Sequence, residues 1–187
     1  AFEQRKAVPY STVPVTVIPA ADFTTKVSLV NRLNQVSGVR MEERSPGSYR
    51  LSIRGSSLRS PFGVRNIKIY WNGLPLTDPG GNTYFNQLAW NNFSLAEVVK
   101  GPIGSMYGAG TGGLVLLMSF DDKWVPGISA EYITGSYGLH NVFLTGRMGS
   151  RENKQQLTFA HSQSDGYRVQ SALRRDNISW TSAINRN

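Results

Sequence analysis

The chain of 187 residues contains no cysteine, two histidines and no run of three or more consecutive Lys and Arg residues. The absence of cysteine excludes a disulfide framework, a thiolate metal site and a cysteine nucleophile. Without a dense basic run, the net charge of +8 does not indicate a nucleic-acid groove, and we expect no nucleic-acid partner. No apolar stretch approaches the roughly 18 residues of a membrane-spanning helix. The sequence therefore does not predict a helical membrane protein.

Residues 101–113 contain six glycines and first suggest a phosphate-binding loop. The run lacks the Gly-Lys-Ser/Thr ending of a P-loop, and the apolar strand Leu114 to Met118 follows it where a helix is required. The same strand excludes a dinucleotide-binding fingerprint. We therefore expect the glycines to permit a tight backbone path beneath a covering element.

No group of side chains supplies the parts of a catalytic or metal site. His140 and His161 lie on separate predicted strands, and a metal site needs three or four converging ligands. Asp121 and Asp122 are adjacent on an extended chain, where neighbouring side chains point to opposite faces, so they suit a solvated linker. The sequence therefore predicts no enzyme, no metal site and no cofactor.

The first 120 residues predict one α/β unit that is rich in loops. Residues 13–18 alternate apolar and small polar side chains between prolines, which is typical of an edge strand. One helix follows, ended by Ser37-Gly38 and marked by an apolar stripe at helical spacing: Phe23, Val27, Val30 and Leu33. From residue 39 to 120 the pattern is mostly β, with an Asn72-Gly73 hairpin turn.

After residue 120 the pattern changes to segments of alternating hydrophobicity separated by polar turns. The clearest alternation covers residues 128–133, 141–148, 156–160 and 177–184. Four long hairpin strands at this spacing match the dyad signature of a transmembrane β-barrel. The alternation by itself fits a soluble antiparallel sheet equally well.

Charged side chains interrupt two of the predicted apolar strands. Arg54 ends one strand, and Glu97 lies within the strand Leu95 to Val99, with Lys100 after it. Such charges require partners if they are buried. Alternatively, the strand lies at a sheet edge and its charged ends are solvated. The residues alone leave both interpretations open.

Six blocks, in this order over about residues 8–120, resemble the plug domain of TonB-dependent outer-membrane transporters. They are LNQVSGV (33–39), SIRG (52–55), IYWNGLPLTD (69–78), EVVKGP (97–102), MYG (106–108) and Gly112-Gly113. Residues 125–187 resemble the first barrel strands of the same family. The combination in one order is specific, whereas any single block is weak.

The resemblance implies an α+β plug domain over residues 1–120, with a small mixed four-stranded sheet and short helices, lodged in a barrel of about 22 strands. Residues 121–187 would form about the first four antiparallel strands of that transmembrane β-barrel, which is then incomplete. Open sheet edges are excluded from lipid. We therefore expect a truncated chain, with the remaining barrel strands on the same longer chain or on a second chain.

The implied function is active transport across the outer membrane of a Gram-negative cell, with the plug facing the periplasm and the barrel lumen. The transporter binds a scarce small-molecule nutrient, such as a metal chelate or cobalamin, and imports it when TonB pulls on the plug. The implied partners are a TonB-type energising protein and outer-membrane lipid. The alternative is a soluble periplasmic β-rich module that binds a ligand or a glycan.

The resemblance also assigns roles to particular residues. In the family, the arginine of the Arg-Gly block and the basic residue before Gly-Pro pair with barrel glutamates. This implies that Arg54 and Lys100 are latches between plug and barrel, with Glu97 joining their network.

Ligand contact in the family comes from loops at the plug apex, which match residues 44–46, 59–62 and 82–85 here. The expected contact residues are Arg44, Arg59, Phe62, Asn82, Tyr84 and Phe85. Arginine and aromatic side chains suit an anionic or aryl-bearing chelate.

Overall fold

The computed structural model describes residues 14–19, 30–45, 47–56, 64, 66–101, 107 and 112–184. In these ranges the chain forms one short helix, α1 (Val30–Leu33), and eleven strands. The strands are β1 (Val15–Pro19), β2 (Val39–Ser45), β3 (Ser48–Ile53), β4 (Ile67–Trp71), β5 (Leu74–Pro75), β6 (Leu95–Lys100), β7 (Gly113–Met118), β8 (Gly127–Gly135), β9 (Leu139–Gly149), β10 (Asn153–Ser164) and β11 (Leu173–Ile184). Two 3₁₀ turns, Phe85–Gln87 and Trp90–Asn92, precede β6.

Strands β1 to β7 form an N-terminal unit that contains a five-stranded sheet and a separate hairpin. The sheet order is β1-β6-β7-β4-β5, and β2 pairs only with β3 among the described strands. β4 and β7 are parallel, whereas the other neighbours are antiparallel, so the sheet is mixed. The expected number of four strands was wrong, because the Asn72-Gly73 turn returns the chain far enough for β5 to pair with β4.

The core of the N-terminal unit lies between one face of this sheet and the β2–β3 hairpin with α1. Alternate residues on the sheet strands point to this face, as period-two patterning requires. The buried set includes Ile18, Leu33, Met41, Leu51, Ile53, Ile67, Ile69, Ala96, Val98, Val115 and Leu117. Leu33 therefore packs in the core as its helical stripe predicts, while Phe23 and Val27 lie outside the described residues.

Strand β6 lies inside the sheet, between β1 and β7. The interpretation of Leu95 to Val99 as an edge strand was therefore wrong. β1 lies at one edge of the sheet, as its prolines predict, and only Ile18 of its five residues is buried. Glu97 is half-buried in the middle of β6, where its Cα partners are Val17 and Leu116.

Strands β8 to β11 form a second sheet in sequential antiparallel order. The strands have 9, 11, 12 and 12 residues, so they agree with the alternation that the sequence shows after residue 120. In the described part of the chain, no helix is long and apolar enough to cross a membrane. Residues 121 and 122 lie between the two sheets in a connection without strand structure.

The turn between β4 and β5 is fastened to the end of β7 by Ser119, which is fully buried. The Ser119 hydroxyl oxygen accepts hydrogen bonds from Trp71 Nε1 at 2.8 Å and from Asn72 Nδ2 at 3.1 Å. The Ser119 backbone N–H donates to Asn72 Oδ1 at 2.8 Å. These bonds hold the Asn-Gly turn against the neighbouring strand.

Replacing Ser119 by alanine should lower the free energy of opening of the β4–β7 pair by about 1 kcal/mol, because the partly buried Trp71 Nε1 and the exposed Asn72 Nδ2 lose their common acceptor. Amide hydrogen exchange of these strands in the full-length protein measures that free energy. Ser129→Ala, an exposed serine on β8, is the matched control and should change it little. Equal effects of the two substitutions would contradict the assignment.

Candidate functional site

One of the segments expected to contact ligand, residues 82–85, lies against the chain that follows another, residues 44–46. Gly47 of the β2–β3 turn, residues 48 and 49 at the start of β3, and residues 83–86 line one cavity of about 210 Å³. The two sides of the cavity are close together, because a Cβ atom added to Gly47 would lie 3.2 Å from the Cβ of Asn86. The rings of Tyr49 and Phe85 meet edge to face with centroids 6.2 Å apart. We call this cavity the apical pocket.

The predicted contact residues differ in how far they are accessible from this pocket. Phe85 is 1% exposed and belongs to the core, so it forms the wall of the pocket. Tyr84 is 37% exposed and lines the opening. Arg44 is exposed on β2 near the turn, and Asn82 is half-buried just before the lining residues. Arg59 and Phe62 lie outside the described residues.

The loop that carries Tyr84 is held by hydrogen bonds on both sides. Asn82 N–H donates to the Asp78 carboxylate at 2.8 Å, and the Asp78 N–H donates to the Asn82 carbonyl at 2.9 Å. Thr83 and Val64 exchange two backbone hydrogen bonds of 3.0 Å each. Tyr84 is therefore presented from a loop whose backbone is fixed, which lowers the entropy cost of binding.

The four-strand sheet reaches the same region through β11. Arg175 Nη1 donates to the Asn86 carbonyl at 3.0 Å, and Asn177 Nδ2 donates to the Gln87 carbonyl at 3.2 Å. The start of β11 therefore lies beside the apical pocket. Sequence reasoning missed Arg175, although its position in the alternation of β11 marks it as a residue of the face opposite Ile178.

A second set of contacts joins the Trp90–Asn92 turn to β9 and β10; we call it the seam. Asn91 Nδ2 donates to the backbone carbonyls of Leu144 and Phe159, both at 3.0 Å. Thr158 donates its hydroxyl proton to Asn92 Oδ1 at 2.6 Å. The sheet face that carries Thr158 is thus the inward face, directed at the N-terminal unit.

The inward and outward faces of the four strands differ in chemistry. Buried polar side chains on the inward face are Asn141, Thr145, Gln156, Thr158 and Ser162. Large apolar side chains exposed on the outward face are Ile128, Tyr132, Leu144, Met148, Leu157, Ile178, Trp180 and Ile184. No described residue covers this outward apolar face. Exposure of so large an apolar surface to water is unfavourable.

Of the predicted latch residues, the structure brings Arg54 and the end of β6 together. Arg54 has a left-handed backbone (φ 51°), and its Nη1 lies 3.8 Å from the position that a Cβ on Gly101 would occupy. Lys100 immediately precedes Gly101. Glu97 lies three residues earlier on β6 and therefore points to the opposite face from Lys100. The latch role of these three residues stays a prediction.

Each of the two histidines contacts one neighbouring side chain on the outward face. His140 Nδ1 lies 2.7 Å from the Tyr132 hydroxyl, and His161 Nδ1 lies 2.6 Å from Asp176 Oδ1. Within the described residues, no group of three His, Cys, Asp or Glu side chains is placed to hold a metal ion.

Comparison with solved structures shows the same fold in three receptors. The ferric yersiniabactin uptake receptor FyuA from Yersinia pestis is 18% identical, with a TM-score of 0.66 over 92% of this chain and 29% of that chain. The ferric-catecholate import receptor Fiu from E. coli K12 is 21% identical, with a TM-score of 0.65 over 92% of this chain and 24% of that chain. The pyoverdine outer membrane receptor FpvA from Pseudomonas aeruginosa is 16% identical, with a TM-score of 0.65 over 84% of this chain and 23% of that chain.

The chain therefore spans less than a third of the length of these receptors. A family model described as the TonB-dependent receptor plug domain matches residues 9–115, which is more than half of the chain. This match covers β1 to β6 and the first half of β7. The chain belongs to the TonB-dependent receptor plug domain family.

Proposed function

We propose that the chain is the plug (residues 1–120) and the first four barrel strands (residues 121–187) of an outer-membrane receptor that imports a small chelate. The family match and the shared fold with uptake receptors support this proposal. The observation that carries it is the seam, where the plug sits on the polar face of strands whose other face is apolar. That arrangement suits a plugged lumen on one side and lipid on the other.

The apical pocket supports a substrate that carries an aryl group and negative charge. Tyr84 offers an aromatic face at the opening, and Arg175 lies beside the pocket with a guanidinium group that can donate to anionic oxygen atoms. Arg44 is exposed on β2, three residues before the lining residue Gly47. At about 210 Å³ the pocket is smaller than the roughly 300–1,000 Å³ of a site that encloses a drug-sized ligand. We infer that it holds one part of the chelate, such as an aryl ring, while the rest remains above the plug.

The proposed import requires partners that act at the two ends of the receptor. A TonB-type protein pulls from the periplasm, outer-membrane lipid covers the outward face, and further strands complete the barrel. In this scheme Arg54 and Lys100, which lie at one end of the plug sheet, pair with barrel glutamates and, with Glu97, form the latch that the pull releases. Breaking a buried pair of this kind on one side costs about 3–5 kcal/mol.

The experiment that tests the function is metal uptake by cells that produce the full-length protein, supplied with ferric catecholate, ferric hydroxamate or cobalamin as separate probes. Accumulated iron measures import of the first two probes, and accumulated cobalt measures import of cobalamin. We expect TonB-dependent accumulation of one probe, with ferric catecholate the first candidate because it is anionic and aromatic. Recovery of the full-length protein as a monomer in water without detergent, binding a ligand or glycan, would instead support the soluble periplasmic module.

Replacing Tyr84 or Arg44 by alanine should weaken binding of the transported chelate about tenfold each, which corresponds to about 1.4 kcal/mol. The reason is the loss of an aromatic contact in the first variant and of a charged donor in the second. Tryptophan fluorescence titration of the purified full-length receptor measures the affinity. Arg40→Ala is the matched control, because Arg40 is on the same strand but contacts Glu42 at 2.8 Å. Unchanged affinity in both test variants would rule out the apical pocket.

A further inference from the structure

We propose that the Trp90–Asn92 turn is the seat of the plug: it stays on the wall formed by β9 and β10 while earlier parts of the plug move. In this arrangement Arg147 is the positioning residue that keeps the turn in place. The inference rests on the proposed import, since it states which part of the plug yields to a pull from the N-terminus.

The first support is that Asn91 binds the backbone of the wall. Its amide group donates to one carbonyl on β9 and one on β10, at 3.0 Å each, so it spans two adjacent strands. These acceptors belong to the main chain of a paired sheet, which does not rotate away as a side chain can. Asn91 therefore couples the turn to the rigid part of the wall.

The second support is the burial of the contacts around Asn92. Asn92 is 2% exposed, Thr158 is 2% exposed and Gln156 is 1% exposed. Thr158 donates to the Asn92 side chain at 2.6 Å, and Gln156 Nε2 donates to the Asn92 carbonyl at 3.2 Å. Separation of the turn from the wall would expose these buried polar groups before they regain partners, which opposes the movement.

The third support is Arg147, a wall residue that contacts three different parts of the chain. Its Nη2 donates to Ser94 Oγ at 3.0 Å, and its Nε donates to Gln156 Oε1 at 3.2 Å. Its guanidinium group lies 5.5 Å from the ring centroid of Trp124, in the connection before β8. Ser94 in turn donates to the Ser119 carbonyl at 2.8 Å, so the contact continues to the end of β7.

The contacts of Arg147 differ from those of the predicted latch in which side carries the cation and in the charge of the acceptors. Here the cation belongs to the wall, and its acceptors are the neutral oxygen atoms of Ser94 and Gln156. A pull that separates charged pairs elsewhere does not act on these bonds directly. The part of the plug nearest to the pull is β1, an edge strand with one neighbour, and four of its five residues are not buried. The plug should therefore yield from β1 and stop at the seat.

The test is single-molecule pulling from the N-terminus of the full-length receptor in a lipid bilayer. If the seat holds, the first release should end at about residue 89, just before the seat, which gives an extension of about 310 Å at about 3.5 Å per residue. A second event at higher force should then release the remaining plug residues, to about 420 Å for 120 residues. Wild-type release of all 120 residues in one event would overturn the proposal.

Variants at Arg147 test its positioning role in the same measurement. Arg147→Met should increase the rate of the second event at a fixed force about tenfold. Arg147→Lys should bring the rate part of the way back to the wild-type value, because lysine keeps a charged donor but lacks the planar, forked set of donors of the guanidinium group. Arg151→Met, in the exposed turn before β10, is the control. Equal rates for Arg147→Met and Arg151→Met would overturn the role of Arg147.

Pulling needs neither a chelate nor TonB, so its result is separable from the proposed function. A receptor that imports none of the probes can still stop at the seat, and that outcome supports the seat while it contradicts import. A receptor that imports a chelate but releases its plug in one event supports import and overturns the seat.

Discussion

Replacing Ile178 by arginine should prevent stable assembly of the full-length protein in the outer membrane. Ile178 is 73% exposed on the outward face of β11, in register with Phe159 on β10. Phe159 is in turn paired with Leu144 on β9, so the substitution places a charge in the middle of an apolar row. An arginine facing lipid at the centre of a barrel strand costs about 2–4 kcal/mol.

The matched control is Ser129→Arg, which places the same side chain on an exposed position of the inward face of β8. A charge directed at an aqueous lumen should be tolerated, so this variant should reach the outer membrane at close to the wild-type level. Membrane fractionation with heat-modifiable gel mobility measures assembly. Equal assembly of the two variants would show that the outward face does not contact lipid.

Replacing Gly113 by alanine should destabilise the plug more than any other glycine substitution proposed here. Gly113 has φ +145°, and an added Cβ would lie 2.6 Å from the Val99 carbonyl oxygen and 2.9 Å from Ile53 Cδ1. The first atom belongs to the backbone of the neighbouring strand and cannot move without breaking the ladder. Overpacking and backbone strain together should lower the free energy of opening of β6 and β7 by about 3 kcal/mol.

Gly73→Ala separates the effect of backbone strain from that of the collision. Gly73 has φ +83°, but nothing lies within 4 Å of an added Cβ, so its cost should be about 1 kcal/mol. Hydrogen exchange of the β6 and β7 amides in the full-length protein measures both variants. A cost for Gly113→Ala that does not exceed that for Gly73→Ala would contradict the close approach of β6, β7 and Ile53.

Local patterns predicted those parts of the fold that depend on neighbours along the chain. The alternation after residue 120 predicts which side chains of β11 point outward, and Ile178 and Trp180 do so. The glycine-rich run predicts a tight backbone path, and the contacts at Gly113 agree with it. The Asn72-Gly73 turn predicts a hairpin, and β4 and β5 form it. The position of β6 stayed open because pairing order depends on contacts that are distant in sequence.

The apical pocket was partly predictable, whereas the seam was not. The resemblance placed three apex segments, and the pocket includes residues 83–85 of the last one, but its other side is formed by residues 47–49, just after the first one. The seam joins Asn91 to residues 53 and 68 positions away, and an asparagine or a glutamine in a loop or strand carries no signal of its distant partner. The contacts of Arg147 were unpredictable for the same reason, because the alternation of β9 predicts the face on which Arg147 lies but not its partners.

The central claim is that the plug sits on the inward face of membrane strands, and one disulfide tests it most directly. This chain has no cysteine, and Asn92 and Thr158 are joined by a 2.6 Å hydrogen bond across the seam. With Asn92→Cys and Thr158→Cys in the full-length protein, oxidation should give an intramolecular crosslink in protein that stays in the outer-membrane fraction after a denaturant wash. The same protein found uncrosslinked in the detergent-free periplasmic fraction would contradict the claim.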